Sequence, residues 1–190
     1  MLKWLKIYQL NLIDLEIKNK RKIFSQLNNN ENYLIDELDK LINNILDDFK
    51  KFEFDKMPSV EIDKIKFNDN KEIVKRAKKL SNISLLNHIN NLLNIVENEL
   101  NIKNINDYII IKLLALLHDA GKSKLLRIKY GISDKITHEE ASYLYAKEVL
   151  KGTSFEYVPE YLLKDSYYLD FLRSIDKIAR EKELKFLQGD

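Results

Sequence analysis

The stretch Tyr108-Ile109-Ile110-Ile111-Lys112-Leu113-Leu114-Ala115-Leu116-Leu117 is apolar at every position but one, and it stops abruptly at His118-Asp119-Ala120-Gly121. A bilayer span needs roughly 20 such residues, so this run is too short to cross one. A helix that is apolar all round belongs in the middle of a domain. The spacing predicts that Asp107 caps its start and that Gly121 is the C′ residue beyond its end. Everything else in the chain is then expected to wrap around this segment.

Working outward, helical periodicity recurs on both sides. Residues Leu34, Leu38, Leu41, Ile42, Ile45, Leu46 and Phe49 fall at three- and four-residue steps, which predicts an amphipathic helix over Glu31 to Phe54. A looser pattern predicts another over Met1 to Phe24, with Asn28 to Asn30 as the break. Pro58 ends this first part, and Val60, Ile62 and Ile65 suit a short extended piece. Ser84 is a natural N-cap for a helix from Leu85 to Leu100, with Leu85, Leu92, Leu93, Ile95 and Val96 inward. Thr137 and Glu140 have the capping-box spacing, so a helix is expected from His138 to Leu150, with Gly152 past its end. A last helix is expected over Ser166 to Phe186, with Leu169, Leu172, Ile175, Ile178 and Ala179 on its apolar side. The expected fold is all-α, with residues 1–65 a helical N-terminal extension and residues 66–190 the main helical domain.

Composition narrows the possibilities. A chain of 190 residues, 45% apolar and 33% charged, suits a soluble globular domain and not a disordered one. Only 4 Gly and 2 Pro oppose a turn-rich β architecture. The net charge of +2 is too balanced for a histone-like binder. With no Cys, a disulfide framework, a thiolate metal site and a cysteine nucleophile all fall away. The start, Met1-Leu2-Lys3-Trp4-Leu5-Lys6, lacks a cleavage-site pattern, and no membrane association is expected, so the expected location is the cytoplasm.

The chain has 3 His, and all stand at informative places. His88 lies one turn from Leu85 and Leu92, on the apolar face of its helix; His118 and Asp119 end the most hydrophobic helix; His138 opens the capped one. Asp176 interrupts the apolar stripe between Ile175 and Ala179. Taken singly, each has an ordinary structural reading, such as a hydrogen-bonded core histidine or a helix-terminal acid. An acid buried beside apolar residues nevertheless costs several kcal/mol unless it is paired, protonated or bound to a cation. His88, His118, Asp119 and Asp176 come from three helices, each on the side expected to face the core. Nitrogen and oxygen donors converging in that way suit a borderline-to-hard divalent metal.

The segment Leu116-Leu117-His118-Asp119-Ala120-Gly121-Lys122-Ser123 resembles the signature of the HD-domain superfamily of metal-dependent phosphohydrolases. Ser84-Leu85-Leu86-Asn87-His88 is similar to that family's first-histidine helix, and Ser174-Ile175-Asp176-Lys177-Ile178-Ala179-Arg180 to the late helix that supplies its last aspartate. The resemblance runs from Asn70 to about Leu187 and implies an HD-type helical bundle. It implies His88, His118, Asp119 and Asp176 as metal ligands, with Lys122 facing the substrate phosphate and also able to balance Asp119. Thr137-His138-Glu139-Glu140-Ala141 resembles the histidine-bearing helix of members with a second metal, but no histidine follows His138. One firmly held divalent ion (Mn, Fe, Co, Ni, Mg or Zn) is therefore expected, with a second possible. His138 would be a partial second-site ligand, a phosphate contact or a solvent-exposed helix-start residue.

The implied activity is hydrolysis of a nucleotide or nucleic-acid phosphoester by metal-activated water, with Asp119, Lys122 and His138 as the catalytic set. His138 or Glu139 would then serve as general acid. Lys122, Lys124 and Arg127 lie in a locally basic segment that suits a phosphate-rich substrate or an ordinary solvated helix face. Tyr143, Tyr145, Tyr157, Tyr161, Tyr167 and Tyr168 suit base stacking or, at helical spacing, the core. Two other functions stay open on sequence: a metal-binding HD-fold regulatory module with little turnover, and a metal-free helical interaction protein. The N-terminal helices suit a lid, a docking surface or a homodimer contact.

Overall fold

A computed structural model of the chain describes residues 29–62, 71–98, 100, 102, 104–163 and 166–188. Among these the fold is all-α, with no strand. Seven α-helices follow in order: α1 (Asn29–Lys51), α2 (Lys71–Leu80), α3 (Leu85–Asn98), α4 (Ile105–Leu117), α5 (Lys124–Lys129), α6 (His138–Leu150) and α7 (Tyr167–Phe186). Short 3-10 turns occupy Ala120–Lys122 and Val158–Leu162. The helix expected over residues 1–24, the boundary expected at residue 65, and any dimer contact built on the first helix lie outside the described residues. No helix among those described is long and apolar enough to cross a membrane.

Helix α4 is the axis of the molecule. Every residue from Tyr108 to Leu117 is buried, and α1, α3, α6 and α7 all pack on it. Its one charged member, Lys112, is buried because Glu97 of α3 and the Tyr108 hydroxyl hold its ammonium. A buried charge without such partners would cost several kcal/mol. The apolar stripe of α1 (Leu38, Ile42, Ile45, Phe49) and the following Phe54 belong to the same continuous core as α4. Phe49 and Phe54 stack at 4.1 Å, and Tyr145 of α6 lies 6.1 Å from Phe49.

Helix α1 stops at Lys51, short of the expected Phe54, and both ends of α4 differ from the sequence expectation. Helix α4 is capped by Asn104, whose side chain accepts from the Asn106 and Asp107 amides. Asp107 falls in the first turn instead, where a negative charge still complements the helix dipole. Gly121 is not a left-handed C′ residue; positive φ among the described glycines occurs only at Gly131 and Gly152. Its requirement is closeness. A Cβ at Gly121 would lie 2.2 Å from the His138 carbonyl oxygen and 2.5 Å from the Ser142 amide nitrogen. The Gly121 amide donates to Ser142 Oγ at 2.8 Å, which pins the turn after α4 onto the first turn of α6.

The connector between α1 and α2 docks on the start of α3. The Leu85 amide donates to the Met57 carbonyl at 2.7 Å and the Leu86 amide to the Phe54 carbonyl at 3.0 Å. These are donors that a helix N-terminus leaves unsatisfied. The Ser59 amide donates to the Ile83 carbonyl at 2.8 Å, and Pro58 forms an isolated bridge with Ser84. The segment from Phe54 to Ser59 is thus a docked strap that carries Ser59 inward, where it is fully buried; of the expected extended piece, Ile62 is exposed and Ile65 lies outside the described residues.

Candidate metal centre

Three helices and one turn bring the chemistry together. Helix α3 supplies His88 from its first turn, where Ser84 caps the helix by accepting from the Asn87 amide. The end of α4 supplies His118 and Asp119. Helix α7 supplies Asp176, Arg180 and Glu183 at four- and three-residue steps, on one stripe of its surface. One donor atom from each of His88, His118 and Asp119 lies within 4.8 Å of the others, a group that could hold a metal ion. Asp176 reaches this group through His88, with its Oδ1 2.9 Å from His88 Nε2.

The hydrogen bonds behind the rings determine which nitrogens face inward. His118 Nδ1 lies 3.1 Å from the Ala115 carbonyl oxygen, which only accepts, so Nδ1 carries the proton and Nε2 the lone pair. His88 Nδ1 lies 2.8 Å from Glu183 Oε1 and donates to it by the same logic. In its neutral form His88 would aim its Nε2 lone pair at a carboxylate oxygen 2.9 Å away. Both atoms are buried and neither has a hydrogen-bond partner, although Arg180 Nε stands 3.5 Å from Asp176 Oδ1 on its other side. Two acceptors at that distance repel unless a positive charge, a proton or a metal ion, lies between them. The residues present therefore fit a cation with nitrogen and oxygen ligands, and Glu183 behind His88 is the kind of outer carboxylate that orients a metal-binding imidazole.

The electrostatics treat the two imidazoles differently, favouring a proton on His88 and a lone pair on His118. Burial works to lower the His88 pKa, but the Asp176 and Glu183 carboxylates outweigh it and the net shift is upward. His118 is shifted downward, chiefly by burial, which keeps it neutral. Burial alone would raise Asp119, yet His118 and Lys122 hold its carboxyl far below the usual range. Asp176 and Glu183 are likewise lowered despite their burial, through His88 and Arg180.

Lys122 Nζ donates to Asp119 Oδ2 at 2.6 Å, providing the counter-charge expected of it. It also donates to the Ser59 carbonyl at 3.1 Å, so it is directed between Asp119 and the strap. Arg180 meets the same strap, with Nη1 2.8 Å from Ser59 Oγ and Nη2 3.4 Å from the Ser59 carbonyl.

A cleft of about 230 Å³ opens beside the centre. One wall is polar (His118, Asp119, His138, Glu139, Asp176), the other is leucine (Leu162, Leu169, Leu172), and Arg173 stands at its edge. His138 is half-buried there, with Nε2 3.8 Å from Asp119 Oδ1 and 3.1 Å from Glu139 Oε1. A larger hollow of about 480 Å³ lies beside the strap and contains no histidine.

The basic segment after the His-Asp pair does not line the cleft. Arg127 is buried, and its guanidinium donates to the carbonyls of Gly121, Ser133, Ile136 and Thr137, so it ties down the loop before α6. Lys124 is exposed at the start of α5. The tyrosines do not line the cleft either; Tyr145 is in the core. Sequence reasoning missed Arg173, Arg180, Glu183 and Ser59. Glu183 had a signal, since it continues the stripe of Leu172, Ile175 and Ala179 where an apolar residue is expected. Ser59 had none.

No protein-family model, curated protein or solved structure matches this chain.

Proposed function

We propose that the protein is a metal-dependent phosphohydrolase of the HD type, acting on a phosphoester of a nucleotide or nucleic acid. The observation that carries this reading is the convergence of His88, His118 and Asp119, with the facing acceptor pair of His88 Nε2 and Asp176 Oδ1. His88, His118, Asp119 and Asp176 would hold one divalent cation, and the His-Asp-Ala-Gly-Lys resemblance assigns the same four. When bound, such an ion supplies Lewis acidity and a nucleophile at neutral pH. Around it, Lys122 keeps Asp119 ionised, while Glu183 keeps the proton of His88 on Nδ1 and its lone pair inward. His138 and Glu139 face the cleft from the start of α6, where one of them would protonate the leaving group. Arg173 and the leucine wall bound the space left for substrate.

The test is direct. Protein purified without chelator is assayed for bound metal, then with manganese on a generic phosphodiester and on nucleoside monophosphates. Near-stoichiometric metal and turnover that Asp119→Ala abolishes while the helical spectrum persists support the proposal. Metal retained without turnover on any substrate favours a second reading, a metal-binding regulatory module. The engagement of Lys122 by Ser59, away from the cleft, is the observation on its side. Absence of metal overturns both.

A further inference from the structure

Helix α2 reads Lys71-Glu72-Ile73-Val74-Lys75-Arg76-Ala77-Lys78-Lys79-Leu80. It has an excess of four positive charges, twice the net charge of the whole chain. Arg76 is neutralised by Glu181 of α7. Lys71, Lys75, Lys78 and Lys79 have no ion-pair partner among the described residues, and with Val74 and Asn82 they line a shallow groove of about 370 Å³. Like charges three and four residues apart weaken a helix. The fold gains nothing in return, because α2 is anchored through Ala77 and Leu80, its buried residues.

We infer that this lysine groove binds the phosphate backbone of a nucleic-acid strand. A row of four cations along a helix matches a linear polyanion better than a single phosphate. Anionic membrane is the poorer partner, because an interfacial helix inserts a broad apolar face, and here Ala77 and Leu80 are buried and leave Ile73 as the one exposed large apolar residue of the helix. Helix α2 packs on α7, where Glu181 lies five residues beyond Asp176, and the Asn82 turn leads from it into the helix that carries His88. This inference rests on the proposed function and narrows it, from nucleotide or nucleic acid to nucleic acid.

The experiment measures binding of fluorescent phosphorothioate strands, single and duplex, to the full chain across a salt series. The variant K71Q/K75Q/K78Q/K79Q is expected to bind at least about tenfold more weakly at low salt, with the slope of log K against log salt smaller by about 3 for the single strand. A control variant, K147Q/K151Q, should leave both unchanged, and K75E/K79E should weaken binding in the same direction if the quadruple variant loses its helical spectrum. Unchanged affinity in the lysine variants overturns the inference, as does tighter binding of phosphatidylserine vesicles than of either strand. Metal content and hydrolysis of a small phosphodiester are measured on the same samples. Strand binding that follows the lysines while hydrolysis is absent even in the unaltered chain would sink the proposed activity and leave the groove standing.

Discussion

His88 Nδ1 lies 2.8 Å from Glu183 Oε1, so one carboxylate 95 positions along the chain determines which nitrogen faces Asp176. Glu183→Gln keeps the shape and removes the charge. Metal titration should show an affinity loss of about 10- to 100-fold, the usual penalty for an altered outer partner; equal affinity would contradict the arrangement. The same variant gives a pH test on chelated protein. Glu183 is shifted below its ordinary value in the fold, burial notwithstanding, so its contribution is present above the unfolded value and lost as pH falls through the folded one. The stability gap between the unaltered chain and Glu183→Gln in denaturant should therefore be full near pH 5–6 and close below about pH 4.3. At this scale the convergence of His88, His118 and Asp119 was legible, because each stands where an apolar residue or a helix end makes it conspicuous. Arg127 misled, since a basic residue shortly after the His-Asp pair looks the same whether it faces solvent or donates to four carbonyls. Only the path of the loop before α6 distinguishes the two.

Helices were legible where local signals sufficed. The Thr137–Glu140 capping box forms as expected, with the Thr137 amide 2.9 Å from Glu140 Oε2 and the Glu140 amide 3.2 Å from Thr137 Oγ1. The unbroken apolar run became the central helix, and Ser84 and Ser166 cap α3 and α7. What the sequence could not reveal is how elements meet. Gly121 looks like a helix terminator on paper, and its necessity comes from the backbone of α6 less than one side chain away. Gly121→Ala must push α6 off the turn, and overpacking of that kind costs about 1–3 kcal/mol or more. A thermal melt should show a fall of several degrees, and since the turn carries Asp119, metal affinity should drop with it. An unchanged melt would mean that the turn and α6 are not in contact.

The described residues share one continuous core, and α1 belongs to it. Phe49→Ala, a change some distance along the chain from any histidine, should cost about 3–5 kcal/mol, the usual range for a buried Phe. Urea unfolding would measure it, and a loss under about 1 kcal/mol would show α1 to be an appendage. Metal should act on the same scale. An ion that binds only the folded ligand set adds about 2.7 kcal/mol at a hundred times its Kd. Chelation is expected to lower the Tm and added metal to restore it, whereas a Tm indifferent to both would deny the centre.

A single peptide oxygen, that of Ser59, receives both Lys122 and Arg180, the two cations that neighbour Asp119 and Asp176. The ionic balance of the centre is thereby yoked to the seating of residues that are remote in sequence and hold no ligand themselves. Were the strap to lift, both side chains would be unmoored together, and the charge around the carboxylates would be redistributed in a single event.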